Sequence, residues 1–303
     1  MKATNVLPTK KNSPSPIASQ FVARAPAMRE HARKLERAAA LDANVLITGP
    51  TGSGKTTAAS LIHELGTRSD HRFVSLNVAE TPTVEMEAWL SGSRSHAVSG
   101  GTMVIENVDE LSPELQRQLL CFLQSRVLLS ADGVPKLEVR VVATTRVDLK
   151  RIAQDSGFRE DLYYRLGVLR IEAPSIAERR EDLAELIDRF LHRCGGSLRL
   201  TADALAALHE YSWPGNLREL KNVLERAHAF SRTDIIGVEL IEFPNQAVAN
   251  KTDRPNLAGY TMEQIERWAL LDTLEQVGGN KAAASRALGL CEKTIYNKLR
   301  RMR

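Results

Sequence analysis

The chain has 303 residues, 43% hydrophobic and 26% charged, with a formal net charge of +4. That balance suits two or three folded globular units and excludes a fibrous or wholly disordered chain. No apolar run approaches the roughly 18 residues that a membrane-crossing helix requires, and the N-terminus lacks the apolar core of a secretion signal.

Residues 1–20 are rich in Pro, Ser, Thr and Lys and are expected to form a disordered tail, with no sensory unit ahead of the core. A helical pattern starts near Pro26 and carries Met28, Leu35 and Ala38 to Leu41 toward the apolar run Val45-Leu46-Ile47. Gly49-Pro50-Thr51-Gly52-Ser53-Gly54-Lys55-Thr56 follows, then Thr57 and a second helical pattern. This is G-x-x-x-x-G-K-[ST] between strand and helix, the context that makes it a phosphate-binding loop. Glycines let successive N–H groups converge, and the new helix adds its positive dipole end. Gly49 to Thr57 are therefore expected to hold ATP, with Lys55 on the outer phosphates and the Thr56 hydroxyl on Mg²⁺. The plain alternative is a Gly-rich turn that binds nothing.

Strands are expected at Arg72–Asn77, Met103–Ile105 and Leu137–Thr145, with Leu162–Ile171 closing the set. Helices are expected at Thr83–Leu90 and from Ser112-Pro113-Glu114, where Pro113 fills a position that needs no N–H. Strands alternating with helices imply an α/β fold, a parallel sheet covered on both faces, with the phosphate loop at its carboxyl edge. From Ala177 to Arg232 the pattern is helical: Arg179 to Leu183 opens one amphipathic helix, Thr201 caps Ala202–Tyr211, and Asn216 caps Leu217–Phe230. This predicts a small helical lid.

Past a polar linker, Thr261-x-x-Gln264 is a capping box for a helix with Met262, Ile265, Trp268, Leu271 and Leu274 on one face. Asn280 caps Lys281–Leu288, Gly289 turns the chain, and Glu292–Arg300 forms a third helix with Ile295 and Leu299 inward. The last 24 residues hold seven Lys or Arg against one acid, Glu292. Two short helices joined by a Gly turn, the second one basic, describe a helix-turn-helix for double-stranded DNA. Lys293, Lys298, Arg300 and Arg301 suit phosphates and, with Tyr296, complete the outward set in which Thr294 and Asn297 suit base edges. One such motif reads few base pairs, so at least a dimer is expected, with Thr261–Val277 as its seam. A basic helix pair that only dimerises is the plainer alternative. Cys121, Cys194 and Cys291 form no pair or metal cluster and read as reduced thiols, in keeping with a cytoplasmic location.

Several segments together resemble the bacterial enhancer-binding proteins, the NtrC-like AAA+ activators of sigma-54 RNA polymerase. Phe158-Arg159-Glu160-Asp161-Leu162-Tyr163-Tyr164-Arg165-Leu166 looks like the family's arginine-finger segment, and Trp213-Pro214-Gly215-Asn216-Leu217-Arg218-Glu219-Leu220 like its second nucleotide sensor. Gly279 to Leu299 is similar to the Fis-type DNA-binding unit. The resemblance implies an AAA+ domain at 21–175, a helical lid at 176–244, a linker at 245–258 and a Fis-type helix-turn-helix at 259–303, assembled as dimers or hexamers of itself or with a homologous activator. It implies Arg159 and Arg165 as fingers toward a neighbour's nucleotide, and Arg218 as a nucleotide sensor.

Three departures stand out. The family's strand end Asp-Glu, metal carboxylate then water-polarising carboxylate, falls on Glu106 and Asn107 here. Glu106 keeps a carboxylate for Mg²⁺; Asn107 has an amide, which accepts no proton near neutral pH. The family's polar residue beside the terminal phosphate, usually Asn, falls on Arg146. The family's GAFTGA loop, which contacts sigma-54, has no counterpart: only seven residues, Ser93 to Ser99, separate Gly92 from Gly100. The expectation is a DNA-binding regulator that holds ATP, hydrolyses it weakly and does not touch sigma-54. The alternative is a working ATPase that acts on a partner through another surface.

Overall fold

The computed structural model describes residues 21–91, 93–125, 138–155, 157–194, 198–231 and 233–244, and beyond these 270, 273, 284, 285, 288–290, 294 and 295. The chain divides into two compact units, Met1–Glu242 and Phe243–Arg303.

The first unit is built on five parallel strands: β1 (Val45–Thr48), β2 (Phe73–Asn77), β3 (Thr102–Glu106), β4 (Arg140–Thr145) and β5 (Leu169–Glu172), in the order β2-β3-β4-β1-β5. Alternation along the strands builds a core on each face. Leu46, Leu76, Ile105 and Val141 face α3 (Thr83–Leu90) and α4 (Pro113–Ser125), burying Trp89 and Leu119. Val45, Ile47, Val104 and Val142 face α1 (Pro26–Ala39) and α2 (Lys55–Glu64), burying Leu35 and Ile62. Because every strand runs the same way, the ends of β1 to β4 deliver Thr48, Asn77, Glu106 and Thr145 to a single edge.

The segment Leu162–Ile171 is not one strand. It contributes to α6 (Glu160–Leu166) and, past Gly167, to β5. The first-turn acids Glu160 and Asp161 favour the helix end, where the dipole is positive. A short helix α5 (Leu149–Gln154), absent from the sequence reading, is capped by Asp148, whose carboxylate accepts from the N–H groups of Lys150 and Arg151. Leu41, read as apolar helix face, is half exposed.

The helical part follows at Ala177–Asp182, a tight 3-10 segment, then α7 (Leu183–Cys194), α8 (Ala202–Glu210) and α9 (Asn216–Phe230). Thr201 caps α8 as expected, accepting from Ala204 N–H at 3.3 Å. The start of α7 differs from expectation, because Arg179 has φ −134° and ψ 44° and breaks the helix. In the second unit, Leu270, Ala284 and Ile295 are buried together with Leu288 against them, and Gly289 turns with φ +65°. Leu270 is buried although the sequence reading placed neighbouring Leu271 on the inner face, which lies outside the described residues.

Two histidines are buried beside the sheet. His31 shares a 2.7 Å hydrogen bond with the carbonyl of Glu172. Burial, with the charges of Arg179 and Lys34, lowers its pKa from 6.5 to about 4. His63 meets the Thr102 hydroxyl at 3.0 Å, and burial lowers its pKa too. The folded state thus prefers both rings neutral, while the unfolded chain protonates them near 6.5, so their contribution to stability is full above that pH and falls as pH drops below it, for His31 down to about 4. His31 alone should remove about 3 kcal/mol across that window. Urea unfolding at several pH values should show a shallower acid-side loss in His31→Gln than in the wild type.

Candidate nucleotide-binding site

The phosphate loop joins β1 to α2. Its glycines take left-handed or related backbone angles, with Gly52 at φ +75° and Gly54 at φ +100°. Gly52 also has no room for a side chain, since a Cβ there would lie 2.2 Å from the carbonyl of Gly215. Lys55 folds back over the loop, its Nζ donating to the carbonyls of Gly49 (2.8 Å) and Pro50 (2.9 Å). Partial burial and the nearby Arg218 guanidinium lower the Lys55 pKa, opposed by the carboxylates of Asp109 and Glu106; Arg146 acts in the lowering sense. Ser53 Oγ is buried and has no hydrogen-bond partner among the described residues. An ammonium resting on loop carbonyls and an unpartnered hydroxyl within a glycine cradle fit a phosphate chain.

Thr56, at the first turn of α2, donates its hydroxyl to Glu106 Oε2 at 2.7 Å, and Ser75 donates to Glu106 Oε1 at 2.7 Å. Hydroxyl and carboxylate oxygens brought together beside the loop are the hard ligands that suit Mg²⁺, which keeps several of its waters. The next residue, Asn107, has φ +58° and ψ 50°, and its Nδ2 donates to Asn77 Oδ1 at 2.8 Å. Two residues on, Asp109 Oδ1 accepts from the Thr145 hydroxyl at 2.7 Å.

The lid closes over the loop from above. Leu217 N–H donates to the carbonyl of Gly52 at 3.0 Å, and Asn216 Nδ2 to that of Thr51 at 3.1 Å. Asn216 Oδ1 accepts from Ile176 N–H at 2.8 Å. Asn216 is therefore a clamp between lid and loop and not the helix cap expected of it; the cap position is Gly215. Its buried side chain and φ of +52° suit Asn, whose short polar arm tolerates that backbone. Arg218, on the first turn of α9, is exposed and close enough to Lys55 to shift it. Arg179, expected from the sequence only as the start of a helix, reaches the phosphate loop as well. It is 2% exposed, and its Nη2 donates to the carbonyl of Ser53 at 3.1 Å.

Comparison with known proteins places this arrangement. Residues 22–176 match the Sigma-54 interaction domain, 177–258 the AAA+ ATPase lid domain, and 261–302 the Bacterial regulatory protein, Fis family. The chain belongs to the sigma-54 activator family. Relatives include the response regulator protein PilR of Pseudomonas aeruginosa, 33% identical over 95% of this chain and 71% of PilR. The transcriptional regulatory protein ZraR of Salmonella typhimurium is 34% identical over 95% of this chain and 70% of ZraR. Among solved structures, NtrX from Brucella abortus in complex with ADP superposes with a TM-score of 0.69 at 28% identity, covering 92% of this chain and 68% of NtrX. As a member of the sigma-54 activator family, the chain is a transcription regulator with an ATP-binding AAA+ fold and a DNA-binding helix-turn-helix.

The two arginines that the family resemblance suggests as fingers both lie on the surface. Arg159 precedes α6 and pairs with Asp161 at 2.8 Å. Arg165 is exposed near the end of α6, and its main-chain carbonyl accepts from Asn44 Nδ2 at 2.9 Å. Of the DNA-facing set expected from the sequence, Lys293, Tyr296, Asn297, Lys298, Arg300 and Arg301 lie outside the described residues. Thr294 is half-buried in a helical stretch beside Ile295, which is fully buried. Among the described residues, no helix is long and apolar enough to cross a membrane.

Proposed function

We propose that this protein is a sequence-specific DNA-binding regulator that holds Mg²⁺-ATP, hydrolyses it slowly, and regulates without contacting sigma-54. The observation that carries the reading is the end of β3. Glu106 keeps a carboxylate against Thr56, while the next side chain is an amide engaged with Asn77. Such a site keeps the groups that bind a nucleotide and lacks the proton acceptor that activates water. When Mg²⁺-ATP is bound, the ion would neutralise the outer phosphates; Thr56 and Glu106 would hold it, and Lys55 and Arg218 would face the phosphates.

The lack of a sigma-54 contact is supported by the segment where the family carries its contact loop. Ser95–Val98 closes as a 3-10 turn, with Ser95 and Val98 buried. Ser93 Oγ donates to the carbonyl of Ala88 at 2.8 Å, and Arg94 pairs with Glu85 at 2.6 Å. Those contacts hold the segment against α3. A self-dimer on a two-fold DNA site, a hexamer, or assembly with a homologous activator would each supply the second copy that one helix-turn-helix needs.

Occupancy of DNA across the genome, with expression of the bound genes, should be measured in the native cell and in a strain without sigma-54. Regulation of those genes is expected to persist in that strain. Its complete loss would count for the second reading, a working ATPase acting on the transcription complex, which the exposed Arg159 and Arg165 favour.

A further inference from the structure

Glu106 ends β3, and its register partner on β2 is Asn77. Partners in the ladder share a face, so Ser75, Asn77, Val104 and Glu106 all lie on the side of the sheet that α2 covers. The carboxylate does not settle on its direct neighbour. Asn77 Oδ1 already accepts from Asn107 Nδ2 at 2.8 Å and from Ala79 N–H at 3.2 Å. Glu106 reaches two residues back along β2 instead, where its Oε1 accepts from the Ser75 hydroxyl at 2.7 Å. Its Oε2 accepts from the Thr56 hydroxyl at 2.7 Å. Two hydroxyls from different elements, β2 and α2, thus take one oxygen each and fix the plane of the carboxylate.

A Glu side chain turns about three torsions and gives up much rotamer freedom when it is held. The bond to Thr56 alone would leave the carboxylate free to rotate about that contact. Mg²⁺ is strict about the placing of its oxygen ligands, so a carboxylate aimed beforehand serves it better than one that must first be ordered. Among the described residues the Ser75 hydroxyl bonds to Glu106 and to no atom of the phosphate loop, so its effect on the site runs through that carboxylate. We propose that Ser75 is a positioning residue that holds Glu106 ready for the divalent cation of Mg²⁺-ATP. This rests on the reading that the loop binds ATP with Thr56 and Glu106 at the metal.

The test is ATP binding by calorimetry on the full chain, over a range of Mg²⁺ concentrations and, separately, in EDTA. Ser75→Ala should raise the Mg²⁺ concentration that gives half of the metal-dependent gain in affinity by about 10- to 100-fold, the usual cost of losing a partner behind a metal ligand. Binding of ATP in EDTA should stay at the wild-type value. In a Glu106→Gln background, where no carboxylate is left to aim, Ser75→Ala should change the Mg²⁺ response no further. An unshifted Mg²⁺ response in Ser75→Ala, an equal loss with and without Mg²⁺, or losses that add in the double variant would overturn the assignment. If Ser75→Ala does not fold by thermal melting, Ser75→Cys, similar in size and only a weak donor, takes its place, and an unshifted Mg²⁺ response there overturns it instead. Wild-type protein that binds no ATP in either condition would refute the ATP reading itself. Wild-type binding that is indifferent to Mg²⁺ would refute the metal site and the role of Ser75 with it.

Discussion

Lys55→Ala is expected to weaken ATP binding by at least about 100-fold while leaving the chain folded, because it removes a cation that makes charge-assisted bonds to phosphate in a partly desolvated site. The amine already has a reason to leave its present partners. It rests on two neutral carbonyls, Gly49 and Pro50, and its pKa is lowered by burial and by Arg218. Doubly charged phosphate oxygens offer it more than those carbonyls do, and their negative charge restores its proton affinity. Removing the amine should cost little stability, since Pro50 is exposed and Gly49 half-buried, so water can take the place of Nζ on at least one carbonyl. Titration with a fluorescent ATP derivative, alongside thermal unfolding of both proteins, separates the two effects. A wild-type affinity in Lys55→Ala would mean that nucleotide is held elsewhere or not by the loop.

What could be read from the residues was what is local in the chain. The loop from Gly49 to Thr56 announces itself because its glycines, lysine and threonine act within eight consecutive positions between a strand and a helix. The strand ends are legible for the same reason, and parallel pairing then gathers them to one edge. What stayed hidden depends on residues far apart in sequence. Asn216 meets Thr51 across 165 positions and Arg179 meets Ser53 across 126, and neither contact leaves a periodic trace. Asn216 looked like a cap because Asn before a helical run normally is one; the lid has used its side chain to hold the loop. Leu162 to Ile171 looked like a strand because its apolar residues are dense. The break at Gly167 and the acids at Glu160 and Asp161 were the available signs that a helix turn comes first.

The same edge of the sheet yields the test of whether an amide limits the chemistry. Asn107→Glu is expected to raise ATP turnover by about 10²- to 10⁴-fold, the usual worth of a positioned general base. The backbone there leaves β3 in a left-handed turn, φ +58°, and the side chain reaches Asn77 at 2.8 Å. A carboxylate at that position would be an acceptor where Asn107 is now a donor, so the Asn77 amide would rotate to present its NH₂ group. Asn accepts left-handed angles more readily than Glu does, so the variant should lose on the order of 1 kcal/mol of stability. Phosphate release at saturating Mg²⁺-ATP is the measurement, with the double variant carrying Lys55→Ala as the control that ties any gain to this loop. Turnover that stays at background in Asn107→Glu, with ATP still bound, would shift the deficit from the missing base to the neighbour's side of the site, where Arg159 and Arg165 would have to act in trans. Fast turnover in the wild type would show instead that another group activates water, and Asp109, the buried carboxylate two residues on and bonded to Thr145, would be the first to replace by Asn.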